Sequence, residues 1–290
     1  MNNRLVLFLV ILFLNGSLAV SAQNMVSYQV VENEPEKLAR LSLTFDYLYM
    51  NFGKGNVEGS SADYGINGTF RPAEAMEVNG MVHLPLISFQ KPAAVLVDAN
   101  VVLYLSKNRI VKTVPVYLKY QETRGLLTNT ITTSSIEVPD ANVDNRFGLR
   151  GGIYLRRNSY SEIGDPSDRV AAVTQTGVYG GIQLFRTVNL RLKTGDGTAA
   201  TEGGVIWYAD VMILGTSFSD KAVLDYYKLV NGKIAPIGVR VGVMLKPVMP
   251  GNSSTRIGFF KSLDMRGEFG VRPVDRFFFN MGVGWNFLRR

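Results

Sequence analysis

Arg256 to Phe287 reads R-I-G-F-F-K-S-L-D-M-R-G-E-F-G-V-R-P-V-D-R-F-F-F-N-M-G-V-G-W-N-F, two runs joined by Arg272-Pro273-Val274-Asp275. Side chains alternate between the two faces of a strand, so the second run sorts at once. Phe277, Phe279, Met281, Val283, Trp285 and Phe287 fall on one face. Asn280, Gly282, Gly284 and Asn286 fall on the other, with Phe278 the exception. In the first run Leu263, Met265, Phe269 and Val271 oppose Asp264, Arg266, Glu268 and Arg272. An aromatic face backed by charge and glycine suits a lipid-exposed strand whose other side lines a polar interior. The hairpin therefore predicts the closing edge of a transmembrane antiparallel β-barrel, an all-β fold.

The same period of two recurs upstream, with turn-rich gaps between runs. Leu41, Leu43, Phe45, Tyr47 and Tyr49 alternate with Ser42, Thr44 and Asp46, and Tyr64, Ile66 and Phe70 with Asp63, Asn67 and Arg71. Further runs begin at Met76, Val95, Val114, Phe147, Val178, Val205 and Ile237, which makes eleven with the hairpin. Single-chain barrels of this kind have even strand numbers. The expectation is about twelve strands, with ten or fourteen as alternatives. Val26–Val30, Leu127–Val138 and Leu190–Lys193 are the places where a further strand could hide. Tight turns are expected at Arg71–Ala75, Lys107–Ile110 and Arg272–Arg276, and long gaps around 124–145, 157–174, 194–203 and 216–234. A helical period fits only Lys221 to Leu229, as a short loop helix.

Residues 1–22 read as a secretory signal: Arg4, the apolar stretch Leu5–Leu14, then small residues up to Ala22. Residues 23–37 are expected to form a periplasmic lead-in or a short extra strand, and 38–290 a single barrel domain. No apolar run after Leu14 is long enough for a membrane helix. The absence of cysteine excludes a disulfide framework and thiolate chemistry. The formal charge is +7, but no Lys/Arg block exists and an exported chain rarely meets nucleic acid. The excess suits anionic headgroups or internal pairing.

Alternation turns Asp46, Glu77, Asp98, Asp210, Asp264 and Glu268 inward, against Arg146, Arg150, Arg156, Arg240, Arg266 and Arg272. Buried charge is tolerable when paired and hydrogen-bonded, so these residues predict a lumen cross-linked by ion pairs. The sharper alternative is a narrow pore with weak anion preference, set by Arg146, Arg150 and Arg156 on one strand face. His83 is the single histidine, so any His-based lipid hydrolysis must use it; alternation points it inward, where a polar-lumen role is the simpler expectation. Asp140, Asn142, Asp144 and Asn145 carry oxygen ligands but lack the spacing of a calcium loop, and read as an acidic turn. Gly151-Gly152, Gly180-Gly181 and Gly203-Gly204 sit in or beside strands, where they permit bends and close packing of lumen side chains. No metal or other cofactor is expected.

Taken together, the leader, the alternating strands, the inward charge and the final aromatic run resemble Gram-negative outer-membrane β-barrel proteins. The last strand is similar to the terminal assembly signal of that class, with Phe277, Phe279, Trp285 and Phe287 in its aromatic positions; Leu288-Arg289-Arg290 extend past the usual aromatic end. The resemblance implies an outer-membrane location, with lipid and the barrel-assembly machinery as partners. The expected role is a non-enzymatic structural or accessory component of an envelope complex, with envelope proteins as candidate partners. A diffusion pore for small solutes and a soluble exported β-sandwich are the alternatives.

Overall fold

The computed structural model describes residues 27–35, 39–54, 61–87, 95–124, 129–161, 170–195, 197–246, 263–274 and 276–289. The leader reading of residues 1–22 lies outside them. The strands are β1 (Tyr28–Asn33), β2 (Leu41–Lys54), β3 (Ser61–Ala73), β4 (Met76–Ile87), β5 (Val95–Arg124), β6 (Asn129–Ser161), β7 (Val170–Thr194) and β8 (Gly197–Phe218). A helix, α1 (Lys221–Asn231), precedes β9 (Ile237–Lys246), β10 (Leu263–Arg272) and β11 (Arg276–Arg289). Every neighbouring pair is antiparallel. β2 to β11 close into a ring of ten through the β2–β11 and β7–β8 pairings, and β1 lies outside it.

The ring has ten strands, the lower of the two alternatives to the expected twelve. Val114–Tyr120 is not a strand of its own but the outer half of β5, and the predicted turn at Lys107–Ile110 is continuous strand paired to β6. The supposed gap at 124–145 is mostly the first half of β6, and Leu190–Lys193 ends β7. An even ring places the start of β2 and the end of β11 at one end, the terminus end, where Ser42 pairs Arg289. The other end carries α1 and the Pro273–Val274 turn.

The period-two pattern sorts the faces of the ring. Cross-strand neighbours Leu103, Leu149, Ile182, Ala209, Val241, Phe269, Phe279 and Phe52 form one outward row across eight strands. The row starts beside Met76, the first residue of β4, and finishes near the last residue of β2, the stagger that barrel closure demands. Ile182 and Trp207 are 44% and 54% exposed, and each of the ten strands carries large apolar side chains like them at outward positions.

One inward residue breaks the sequence pattern. Tyr49, expected outside with Tyr47, is 2% exposed and faces in, because a register shift between Asp46 and Tyr49 inverts the alternation. Phe278, the exception in the closing strand, is buried with Arg272 stacked 3.5 Å over its ring.

At the terminus end the sheet outgrows the ring. β5 leaves β4 after Leu103 and continues paired only to β6. The hairpin bends where Lys112 and Val114 flank a register shift, opposite Pro139 and Asp140, the latter with φ 56°. Just past the bend, Val116, Val138 and Ala141 pack against the outward Leu190, Leu192 and Ala199 of β7 and β8. β1 takes the edge of β7 that β6 has vacated, pairing Tyr28 with Thr194 and Asn33 with Leu190. Asn33 Oδ1 accepts from the Asn142 amide at 2.7 Å, tying β1 to the bend. The long outer edge of β5 carries Lys107, Lys112, Pro115 and three register shifts, features that discourage a further strand from pairing there.

The helix is capped by Asp220, whose carboxylate accepts from the Ala222 amide. Its buried face, Val223 and Tyr227, meets Ala171 and Val173 of β7 and Val274 of the β10–β11 turn. The helix therefore lies across part of that mouth of the barrel.

Candidate functional site: an ion-paired interior

The inward residues are organised by register and by glycine. His83, Gly65 and Asp46 are cross-strand neighbours on β4, β3 and β2. The glycine leaves room for the imidazole to lean over it, and Nε2 reaches Asp46 at 2.7 Å. Arg150, Gly181 and Asp210 repeat the arrangement on β6, β7 and β8, with Nε 3.4 Å from the carboxylate. Tyr208, Gly242 and Glu268 repeat it on β8, β9 and β10, the phenol donating at 2.8 Å. A donor, a glycine and an acid in one row thus link strands that share no backbone hydrogen bonds. A Cβ on Gly65 would collide with the His83 ring and the Val82 carbonyl. Gly65→Val is expected to cost about 1–3 kcal/mol through overpacking. Gly80→Val, with open space around it, should be close to neutral when the two variants are compared by urea titration.

Arg240 ties the rows together. Its Nε donates to Asp210 at 2.7 Å and its Nη1 to Asp98 at 2.6 Å, with Glu268 at 3.4 Å. The guanidinium stacks on Tyr179 at 4.2 Å, and the Tyr179 hydroxyl donates to the other oxygen of Asp98. Arg150 lies flat on Tyr208 at 4.0 Å. Arg266 reaches Asp46 at 3.0 Å, while Asp264 accepts from Thr44 at 2.7 Å. Asn280 completes the shell of Glu268 at 3.0 Å. Charge-assisted bonds of these lengths are the strong ones, and each buried carboxylate described here has such a partner.

The twelve inward candidates therefore divide by height. Asp98, Arg150, Asp210, Arg240 and Glu268 form the central network, with Asp46 and Arg266 beside it. Glu77 sits near the terminus end, held by Arg71 at 2.7 Å. Arg146 lies there too, its Nη1 donating to the Glu74 carbonyl at 3.1 Å. Arg272 is toward the helix end, donating to Tyr154 Oη at 2.8 Å, and Arg156 lines a small cavity there with Asp63. Arg146, Arg150 and Arg156 share a strand face but not a common ring. Phe277, Phe279, Trp285 and Phe287 all point outward, 39–48% exposed.

The acidic-turn reading of 140–145 does not hold. Those residues are strand: Asp144 is fully buried among cations, Asn145 accepts from Arg186, and Asn142 bonds Asn33. They face different ways, and no cluster of metal-ligating side chains occurs among the described residues.

The aromatic partners Tyr49, Tyr154, Tyr179 and Tyr208 were not singled out from the sequence. The signal was present for three of them, since Tyr154, Tyr179 and Tyr208 occupy inward positions by strand parity, Tyr154 beside the arginines of β6 and Tyr208 beside Asp210. A space of about 60 Å³ lies inside among Arg150, Tyr208, Asn79 and Asn280, room for a few water molecules. His83 is fully buried, its ring 4.1 Å from that of Tyr49 and tilted 39° to it, away from the outer surface.

The fold and interior together define a ten-stranded antiparallel barrel with an apolar exterior and an ion-paired core. No protein-family model matches the chain, and no curated protein sequence matches it.

Proposed function

We propose that the chain is an outer-membrane β-barrel acting as a non-enzymatic structural or accessory component of an envelope complex. The observation that carries this is the apolar outward face repeated on all ten strands around a cross-linked polar interior. A water-soluble monomer does not expose so large a continuous apolar surface, whereas a bilayer requires one. The strands of the ring have 10 residues or more, enough for a tilted membrane crossing. β5 to β8, with 22–33 residues, overshoot it. In barrels whose termini face the periplasm, that overshoot would stand in the periplasm, where an accessory component meets its partners. The leader reading of residues 1–22 and the terminal aromatic run agree with export and assembly.

The filled interior favours this role over a diffusion pore. In planar bilayers, folded protein that migrates heat-modifiably on a gel should give no discrete conductance steps. Regular steps whose ion preference shifts in Arg150→Glu would establish the pore instead. Pull-down of the folded protein from outer membranes should recover a stoichiometric envelope partner; recovery of the chain alone in repeated preparations would count against the accessory role.

A further inference from the structure

The sheet at the terminus end finishes in a strand with one edge open. β6 pairs β7 only as far as Val143, opposite Val188. Beyond that point β1 takes its place, with Asn33 opposite Leu190 and Tyr28 opposite Thr194, and β1 is the last strand in the order. No described strand pairs with its other edge. Tyr28, Gln29, Val30 and Val31 are all exposed, whereas a ring strand such as β9 alternates exposed and buried residues. Val30 and Val31 reach 43% and 59%. The hairpin of β5 and β6 covers Leu190 and Leu192 but leaves Val30, on the same face as Leu192, open to solvent. Such an edge offers a row of unpaired N–H and C=O groups to another extended chain. Unlike the β5 edge, β1 carries no lysine or proline to deter one, and the register shift between Val30 and Glu32 is its one irregularity.

The pairing that β1 already makes shows what its open edge accepts. On the closed side Glu32 stands opposite Arg191, Val30 opposite Leu192 and Gln29 opposite Lys193. The Arg191 guanidinium lies 3.7 Å from one oxygen of Glu32, and Asn189 donates to the other at 3.0 Å. Side chains of β1 keep the same faces toward a neighbour on either side, so a second antiparallel strand meets the same run of apolar and acidic positions. A strand that alternates apolar and basic residues fits it, as Leu190-Arg191-Leu192-Lys193 does. An acid opposite Glu32 is repelled. A second copy of the chain does not fit. Two copies in one membrane run β1 the same way, so the two edges cannot pair antiparallel, and a parallel pairing in register sets Glu32 against Glu32. We propose that the open edge of β1 docks an extended segment of a partner polypeptide with alternating apolar and basic residues, added antiparallel as a further strand. The site rests on the accessory role proposed above and gives its partner contact a chemistry.

The test is fluorescence anisotropy of labelled peptides titrated with the folded full chain in zwitterionic detergent. The probe is end-capped Val-Asn-Leu-Arg-Leu-Lys-Thr, the sequence of Val188 to Thr194. The expected result is saturable binding. Affinity should fall about tenfold or more when proline replaces the second leucine of the peptide, which takes an N–H out of the ladder. It should fall about fivefold or more when glutamate replaces both basic residues. Val30→Lys, an edge lysine of the kind that deters pairing, should weaken binding too. Val111→Lys, at a 58% exposed position of β5, should bind as wild type. A flat titration of wild-type protein, shown to be folded by heat-modifiable migration, overturns the site. So does binding that neither the proline peptide nor Val30→Lys weakens. Self-association that Val30→Lys abolishes, with no peptide bound, would put a second copy on the edge instead. A pull-down that recovers no partner, alongside intact peptide binding, would refute the accessory role and leave the edge site standing.

Discussion

Arg240→Ala is expected to destabilise the folded protein by about 3–5 kcal/mol, the cost of removing one partner from a buried ion-paired cluster. The side chain is 2% exposed, and its loss leaves Asp98, Asp210 and Glu268 facing one another across the lumen. Of the three acids Arg150 contacts only Asp210, at 3.4 Å, and cannot replace it. Lysine is no substitute either, because a point charge cannot fork to Asp98 and Asp210 together. The urea midpoint of the folded form in lipid should fall sharply in Arg240→Ala. Part of the loss should return in Arg240→Met/Asp98→Asn/Asp210→Asn, which removes two of the three orphaned charges as well. A loss below about 1 kcal/mol, as for an exposed pair, would show that the interior is wet enough to screen the network.

The second large effect concerns the outside. Ile182 stands in the middle of the outward row, between Leu149 and Ala209. If lipid covers that row, Ile182→Arg should cost about 2–4 kcal/mol, the penalty for an arginine near the bilayer midplane. Asn145→Arg, on the same wall but beside Arg186 beyond the apolar rows, should cost little. Were the wall in water, both would be near neutral, because Ile182 is already 44% exposed. Paired urea titrations in one lipid separate the two cases.

Period-two alternation made the barrel legible because a wall with unlike media on its two sides imposes it residue by residue. The same cause explains where sequence reading failed. Past Leu103 on β5 no described strand pairs with that edge, so Ser106-Lys107-Asn108-Arg109 lost its pattern and looked like a turn. Register shifts did the rest: the one between Asp46 and Tyr49 sent a tyrosine inside against its parity. In the interior, parity identified the charged residues, but not their pairing. Arg240 meets Asp98 from 142 positions away, a contact set by strand stagger that no local spacing encodes. The inward glycines carried more information than their role as bends suggested. Gly65, Gly181 and Gly242 are spacers over which a donor reaches an acid, visible only once three strands are in register.

The chain has two tryptophans, Trp207 and Trp285, and both point outward from the barrel, 54% and 42% exposed. Their fluorescence in reconstituted vesicles reports directly on what covers the wall. Brominated phosphatidylcholine should quench most of the emission while aqueous iodide quenches little. Efficient quenching by iodide, with none by the brominated lipid, would mean that water and not lipid covers the apolar face.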